Sequence, residues 1–284
     1  MTSNSSKLLD KKSWQEFACG WGAAFINITV TYPINKVMFR QMLHGLKTKT
    51  AVAQLRSEGA WYLYRGMLPP LVQKTLSVSL MFGMYEQYKR IIHTNIPSMP
   101  GPLTNATAAM LAGTTEAVLA PCERIQTLLQ HESYHLKLKN TAHAFSYVWA
   151  SHGAKEFYRG LVPILLRNGP SNILFFWGRE EVAKRWPTTS NPSLSLVRDF
   201  VGGALIGGAI STLFYPINVV KAHMQAQLGG PFHPLTQVWR EVSRERGGWR
   251  KMFLGVHVNY TRALISWGVI NASYELLKNL FVDT

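Results

Sequence analysis

The chain has 284 residues, 47% of them apolar, and carries 30 Lys and Arg against 15 acids, a formal charge of +15. That charge would suit a soluble nucleic-acid binder, but Leu103–Cys122 is a run of 20 residues with one charge, Glu116, and that is the length a helix needs to cross a bilayer. Two cysteines, Cys19 and Cys122, make no disulfide framework.

Residues 1–13 are polar, lack an apolar core and a small-residue cleavage site, and are expected to be disordered. No secretory signal is read there, so any organelle address is internal. The apolar stretches then come in pairs: about 14–44 with 67–92, 103–130 with 161–186, and 195–227 with 256–282. Six spanning helices are expected, in tandem repeats at 14–95, 103–188 and 195–284. Between the helices of each pair lies a short amphipathic segment, at roughly 50–58, 140–151 and 234–246.

Three landmarks recur with one period. Pro33, Pro121 and Pro216 stand 88 and 95 residues apart, each inside apolar sequence. Tyr64-Arg65-Gly66, Tyr158-Arg159-Gly160 and Phe253-Leu254-Gly255 are spaced by 94 and 95. Glu86, Glu180 and Glu275 each follow 20 residues past those glycines. A shared period means a tandem triplication. Each proline removes a backbone hydrogen bond and kinks its helix, and small residues such as Gly20, Gly113 and Gly202 let neighbouring helices approach.

The three segments from proline to landmark glycine hold 17 of the 30 Lys and Arg but 6 of the 15 acids. Basic loops face the compartment of synthesis or its topological equivalent. Two helices per repeat then put both termini on the opposite side.

The two loops and two termini of the other side hold nine more Lys and Arg, which leaves four basic residues, Lys74, Arg167, Arg179 and Arg262, and one acid, Glu116, at depth within the apolar stretches. Charge at that depth is expensive and usually faces a cavity; Arg179, near a helix end, is expected to snorkel. Arg167 and Arg262 stand seven residues past their landmark glycines, and Gln73 holds that place in the first repeat with Lys74 beside it. One turn further along the same face stand Ser77, Ser171 and Ser266. The expected site is Gln73/Lys74, Arg167/Asn168 and Arg262 at one depth, each with its serine. Glu116 breaks the symmetry, since Ile28 and Ser211 hold its place elsewhere. Three cations and one anion suit a cargo with at least two negative charges and one positive group; arginine grips phosphate in a fork, and lysine acts as a point charge. The same charges could instead be structural ion pairs, for instance Glu116 with Arg167.

Some signals are set aside. His131-Glu132-Ser133-Tyr134-His135 matches a zinc-protease pattern, but it has no evident third ligand, so no catalytic or metal role is read. No glycine fingerprint follows a strand pattern, so a dinucleotide would not be held in the Rossmann manner. Cys122 is read as a small packing residue.

With these residues in view the chain resembles the mitochondrial carrier family. In that family proline-x-acid-x-x-base, acid-glycine and aromatic-base-glycine recur three times, and the resemblance, with departures, covers nearly the whole chain. The resemblance implies an all-α membrane protein: six transmembrane helices and three short matrix helices around a pseudo-threefold axis. It implies the mitochondrial inner membrane, both termini toward the intermembrane space, and access alternating between two gates. Lys74, Arg167, Arg262 and Glu116 match the family's substrate-contact places. The matrix-gate pairs become Asn35 with Gln126, Glu123 with Lys221, and Asn218 with Met38, of which one is ionic. The acid-glycine element survives as Glu58-Gly59, while His152 and Arg246 replace the acid elsewhere. The cytoplasmic gate keeps Glu86 with Lys89 and Glu275 with Lys278, but Ala183 follows Glu180, leaving the pairs Lys89–Glu180 and Lys278–Glu86. A matrix gate with one ion pair should close less firmly.

Within the family, Ala112–Ala117, Tyr158–Gly169 and Leu264–Glu275 look closest to carriers of NAD+. The resemblance therefore implies NAD+ transport into the matrix, with NAD+ as substrate, no cofactor, no nucleic acid, and a monomer in contact with cardiolipin at Arg65-Gly66 and Arg159-Gly160. Arg167, Arg262 and Lys74 would hold the diphosphate while Glu116 faces the nicotinamide cation or a ribose hydroxyl. The alternatives are a carrier for another bulky anion (nucleotide, coenzyme A or folate) and a non-transporting scaffold. An enzyme is not expected.

Overall fold

The structure, a computed structural model, describes residues 2–186 and 192–281. The first repeat holds α1 (Thr2–His44), α2 (Thr48–Glu58), α3 (Ala60–Leu63) and α4 (Leu68–Asn95). The second holds α5 (Gly101–Glu116), α6 (Ala120–Gln130), α7 (Thr141–His152) and α8 (Leu161–Arg185). The third holds α9 (Pro192–Leu213), α10 (Tyr215–Ala226), α11 (Leu235–Arg246) and α12 (Val256–Phe281). Among the described residues there is no strand. Residues 2–13, expected to be disordered, lie within α1. They contain no glycine or proline, so nothing stops the helix from propagating back through them.

The three landmark prolines do not act alike. Pro33 stays inside α1. Pro121 and Pro216 each open a new helix, α6 and α10, where a missing N–H leaves nothing unpaired. In the second repeat a 3-10 stretch, Ala117–Leu119, takes up the break. In the third, Val201–Leu213 and Tyr215–Ala226 meet at 61°.

Each repeat reverses through glycines of positive φ, first at Gly59, Gly153 and Gly247, then at Gly66, Gly160 and Gly255. A Cβ at Gly66 would lie 2.9 Å from that of Leu129, and one at Gly255 would lie 2.6 Å from the Tyr215 hydroxyl. Glycine is required there for both conformation and space. The tyrosines ahead of two prolines seal these turns: Tyr32 donates to the Arg65 carbonyl at 2.8 Å and Tyr215 to that of Leu254 at 3.0 Å.

The long helices close a ring in the order α1, α4, α5, α8, α9, α12, with α12 back against α1. Buried apolar residues form separate clusters between neighbours: Phe39 with Val219, Ile125 with Val148, Tyr85 with Ala108 and Phe176. The outer face exposes large apolar side chains, among them Leu264 at 73% and Leu205 at 67%. Among the described residues no single helix is both long and apolar enough to cross a membrane, although the bent pair of α9 and α10 passes together. Polar positions turned inward lower the mean hydropathy of each helix, so the apolar outer stripe does not extend around the whole circumference.

Candidate functional site

A central cavity of about 300 Å³ lies inside the ring. The helices carrying the prolines supply Asn35, Met38, Glu123, Gln126, Asn218 and Lys221 to it, and the alternate helices supply Gln73, Arg167 and Arg262. All six residues read as one gate therefore meet three of those read as substrate contacts.

Glu123 is the centre of this floor. Its Oε2 accepts from Lys221 Nζ at 2.9 Å, as the sequence pairing expects. Its Oε1 accepts from Gln73 Nε2 at 2.9 Å and Arg167 Nη2 at 3.2 Å. One carboxylate of α6 thus ties α4, α8 and α10 together. Among the described residues the other two gate pairs, Asn35 with Gln126 and Asn218 with Met38, form no hydrogen bond; Asn218 Oδ1 instead accepts from Arg167 Nη1 at 3.3 Å. Methionine offers no donor to an amide oxygen, which leaves Asn218 to Arg167.

Arg167 is oriented by its neighbour, since Asn168 Oδ1 accepts from its Nε at 2.9 Å and its Nη2 at 2.8 Å. Asn168 is buried, so it acts on Arg167 rather than facing the cavity. Arg167 pairs with Glu123 and not with Glu116, which takes the hydroxyl of Ser77. Lys74 is solvent-exposed, lies in the field of both Arg262 and Glu116, and makes no ion pair among the described residues. Among the described residues the buried Ser171 hydroxyl and Arg262 Nε have no hydrogen-bond partner. Ser266 is half-buried.

Asn259 and Ser211 line the cavity and escaped the sequence reading in this role. Asn259 donates to Ser211 Oγ at 2.7 Å and accepts from Arg262 Nη2 at 3.2 Å. Asn259 stands three residues before Arg262, on the same helical face, and Ser211 occupies the place that Glu116 holds in the second repeat. Gln130 and Gln225, each nine residues past its proline, were also missed. Gln130 donates to the Tyr32 hydroxyl at 3.1 Å, and Gln225 accepts from Thr127 at 3.2 Å, so both join neighbouring repeats.

At the far end the expected pair of Lys89 with Glu180 is absent. Glu180 accepts from Asn105 Nδ2 at 2.8 Å, and the Lys89 ammonium sits 5.9 Å from the Tyr85 ring centre. Tyr85 and Phe176 stack with centroids 3.8 Å apart, and this contact joins α4 to α8 instead. Glu86 is exposed; its expected partner Lys278, and Glu275, have side chains outside the described residues. The Arg179 guanidinium lies 5.6 Å from the centre of the Phe82 ring.

The loops beyond the floor carry the rest of the buried charge. Glu156 bridges Arg124 at 2.6 Å and Arg159 at 2.9 Å, all three nearly inaccessible. Burial alone would raise its carboxyl, but Arg159, the Gly229 N–H and Arg124 together hold it below the usual range. The guanidinium of Arg65 is bound by the carbonyls of Tyr134, His135 and Leu138, and that of Arg159 by those of Gly230 and Pro231. The zinc-protease pattern is taken apart: Glu132 pairs with buried Arg40, and His135 stacks on Tyr62 at 4.6 Å. Burial, with Lys36, Arg65 and Arg40 nearby, pushes the His135 imidazole down to about 4. Among the described residues no three His, Cys, Asp or Glu side chains are placed to hold a metal.

The profile described as mitochondrial carrier protein matches three times, at residues 9–96, 99–190 and 192–284. The mitochondrial nicotinamide adenine dinucleotide transporter SLC25A51 of Mus musculus is 50% identical over 269 residues, covering 94% of this chain and 89% of the relative. The transporter of the same description named SLC25A52, from Homo sapiens, is 49% identical over 93% of this chain and 88% of its own length. The mitochondrial arginine transporter BAC2 of Arabidopsis thaliana is 29% identical over 94% of this chain and 95% of its own.

Proposed function

As the chain belongs to the mitochondrial carrier family, we propose that it moves NAD+ across the mitochondrial inner membrane into the matrix, through the central cavity and by alternating access. It is a transport protein and not an enzyme. The observation that carries the substrate is the identity of half the residues, across nearly the full chain, with transporters named for that dinucleotide. The cavity agrees in charge: Arg167, Arg262 and Lys221 against Glu123 leave it net cationic, which suits a diphosphate. The ring of six long segments, apolar outside and polar inside, suits six membrane spans with the floor toward the matrix and both termini toward the intermembrane space.

In this reading Arg262 and Lys74, neither of them in an ion pair among the described residues, receive the diphosphate first. Glu116, oriented by Ser77, faces the nicotinamide cation or a ribose hydroxyl. The carrier works as a monomer, and an acidic lipid such as cardiolipin would meet the Arg65-Gly66 and Arg159-Gly160 turns through backbone amides, because the guanidinium groups are already held by carbonyls.

The test is uptake of labelled NAD+ by liposomes holding the purified protein, with Lys74→Ala and Glu116→Ala alongside and ATP, coenzyme A and NADH as competitors. Uptake that is lost in both variants and resists ATP supports the proposal. Uptake of a competitor in place of NAD+ moves the substrate, and no transport by a folded sample favours a scaffold. Glu116→Gln should weaken NAD+ transport more than NADH transport, by on the order of 1–3 kcal/mol, if the carboxylate meets the cation; equal loss assigns it to the ribose.

A further inference from the structure

Arg167 serves two sites at once. Its side chain is 24% exposed, against 13% for Glu123, so it borders the cavity while it holds the floor. Asn168 fixes the plane of its guanidinium through Nε and Nη2, and the remaining contacts, to Glu123 at 3.2 Å and Asn218 at 3.3 Å, are long for charge-assisted bonds. Glu123 would keep Lys221 and Gln73 if Arg167 left it. The guanidinium therefore has a fixed plane, one open side toward the cavity, and a carboxylate partner that other donors can satisfy in its place.

From this, and resting on the reading of the cavity as an anion site, we infer that Arg167 is shared in turn by Glu123 and the diphosphate of the cargo. Entry of the anion is a displacement at the floor. A carboxylate brings one negative charge to Arg167, whereas a diphosphate brings two and offers paired oxygens to the fork. Arg262, which lines the same cavity and whose buried Nε has no hydrogen-bond partner among the described residues, also draws the anion in. Cargo with a single negative charge holds no advantage over Glu123 and leaves the floor as it is. The carboxylate that the gate pairs with Lys221 is in this way set in competition with the substrate for Arg167, and Glu123 acts as a specificity-determining residue although the cargo never needs to touch it.

The consequence is that a floor variant should bind cargo more tightly. Purified wild type, Glu123→Gln, Arg167→Gln and the double variant are melted in detergent without cargo and titrated with NAD+ and with sodium pyrophosphate. Without cargo, Glu123→Gln and Arg167→Gln should each lower the melting temperature, and the double variant should melt well above the additive expectation. With ligand, Glu123→Gln should bind both anions about tenfold more tightly than wild type, and the same change in the Arg167→Gln background should alter affinity less than about twofold. Glu123→Asp, which keeps the charge but shortens its reach, should give the same sign if Glu123→Gln proves too unstable. A gain that persists without Arg167 would mean a general field effect and overturn the inference, as would additive melting shifts or weaker binding by Glu123→Gln. Pyrophosphate following the cycle while NAD+ does nothing would keep the displacement and overturn the NAD+ reading. Failure of both anions to bind the wild type would overturn both.

Discussion

At the floor of the ring Glu123 accepts from Gln73, Arg167 and Lys221, on three different helices. At the mouth, about 18 Å further along α4 from Gln73, Tyr85 lies flat on Phe176, with 8° between the ring planes, and Lys89 does not reach Glu180. Both regions join α4 to α8, but by different forces. Hydrogen-bonded charge is directional and can be exchanged for another charge. Stacked rings are held by packing and offer nothing that an anion could replace. The floor can therefore respond to a charged cargo, and the mouth contact cannot.

The largest expected effect lies just beyond the floor. Glu156→Ala would leave Arg124 and Arg159 buried without their carboxylate, at a cost of about 3–5 kcal/mol. The protein should then melt far below wild type in detergent, or fail to accumulate folded. Glu132→Ala, at a pair whose acid is 43% exposed, should cost much less. Equal losses in the two variants would mean that burial does not set the strength of these pairs.

A smaller effect is expected at the mouth. Phe176→Leu keeps apolar volume and removes the stack on Tyr85 and the edge contact with Phe82 at 5.8 Å. The loss should be about 0.5–1.5 kcal/mol, and, unlike a floor variant, this one should leave pyrophosphate affinity unchanged. A change in anion affinity would join the two regions and break the contrast between them.

The floor was far more legible in the sequence than the mouth. Fixed offsets from Pro33, Pro121 and Pro216, taken with the family resemblance, name the gate residues, and symmetry places them at one depth. The same offsets could not tell that Asn218, left opposite Met38, would turn to Arg167, or that Glu123 would gather donors from three helices. Those contacts depend on which side chains reach one another across the cavity, and a period along the chain does not encode that. The prolines show a related limit. Their spacing is regular, yet Pro33 stays within a helix while Pro121 and Pro216 start new ones, because the local backbone decides whether the lost hydrogen bond bends or breaks the helix. At the mouth, Tyr85 directly precedes Glu86 whereas Phe176 stands four residues before Glu180. The two rings that meet occupy different places in their repeats, and repeat symmetry predicts a charge pair there that the structure replaces with a stack.

The smallest effect tests that replacement. Glu180→Gln alters an exposed carboxylate that, among the described residues, is hydrogen-bonded to the Asn105 amide, and a glutamine oxygen can still accept that hydrogen bond. The melting temperature should stay within the range of about 0.5 kcal/mol usual for surface changes, and Lys89→Ala should do no more. Uptake by liposomes is the sharper measurement, because alternating access requires the mouth to close when the floor opens. If Lys89 and Glu180 pair only in that closed form, uptake falls in both variants while melting is unchanged, and the two losses are not additive. If uptake also stays at the wild-type rate, the Tyr85–Phe176 stack closes the seam between α4 and α8 by itself, and only the floor of this carrier depends on charge.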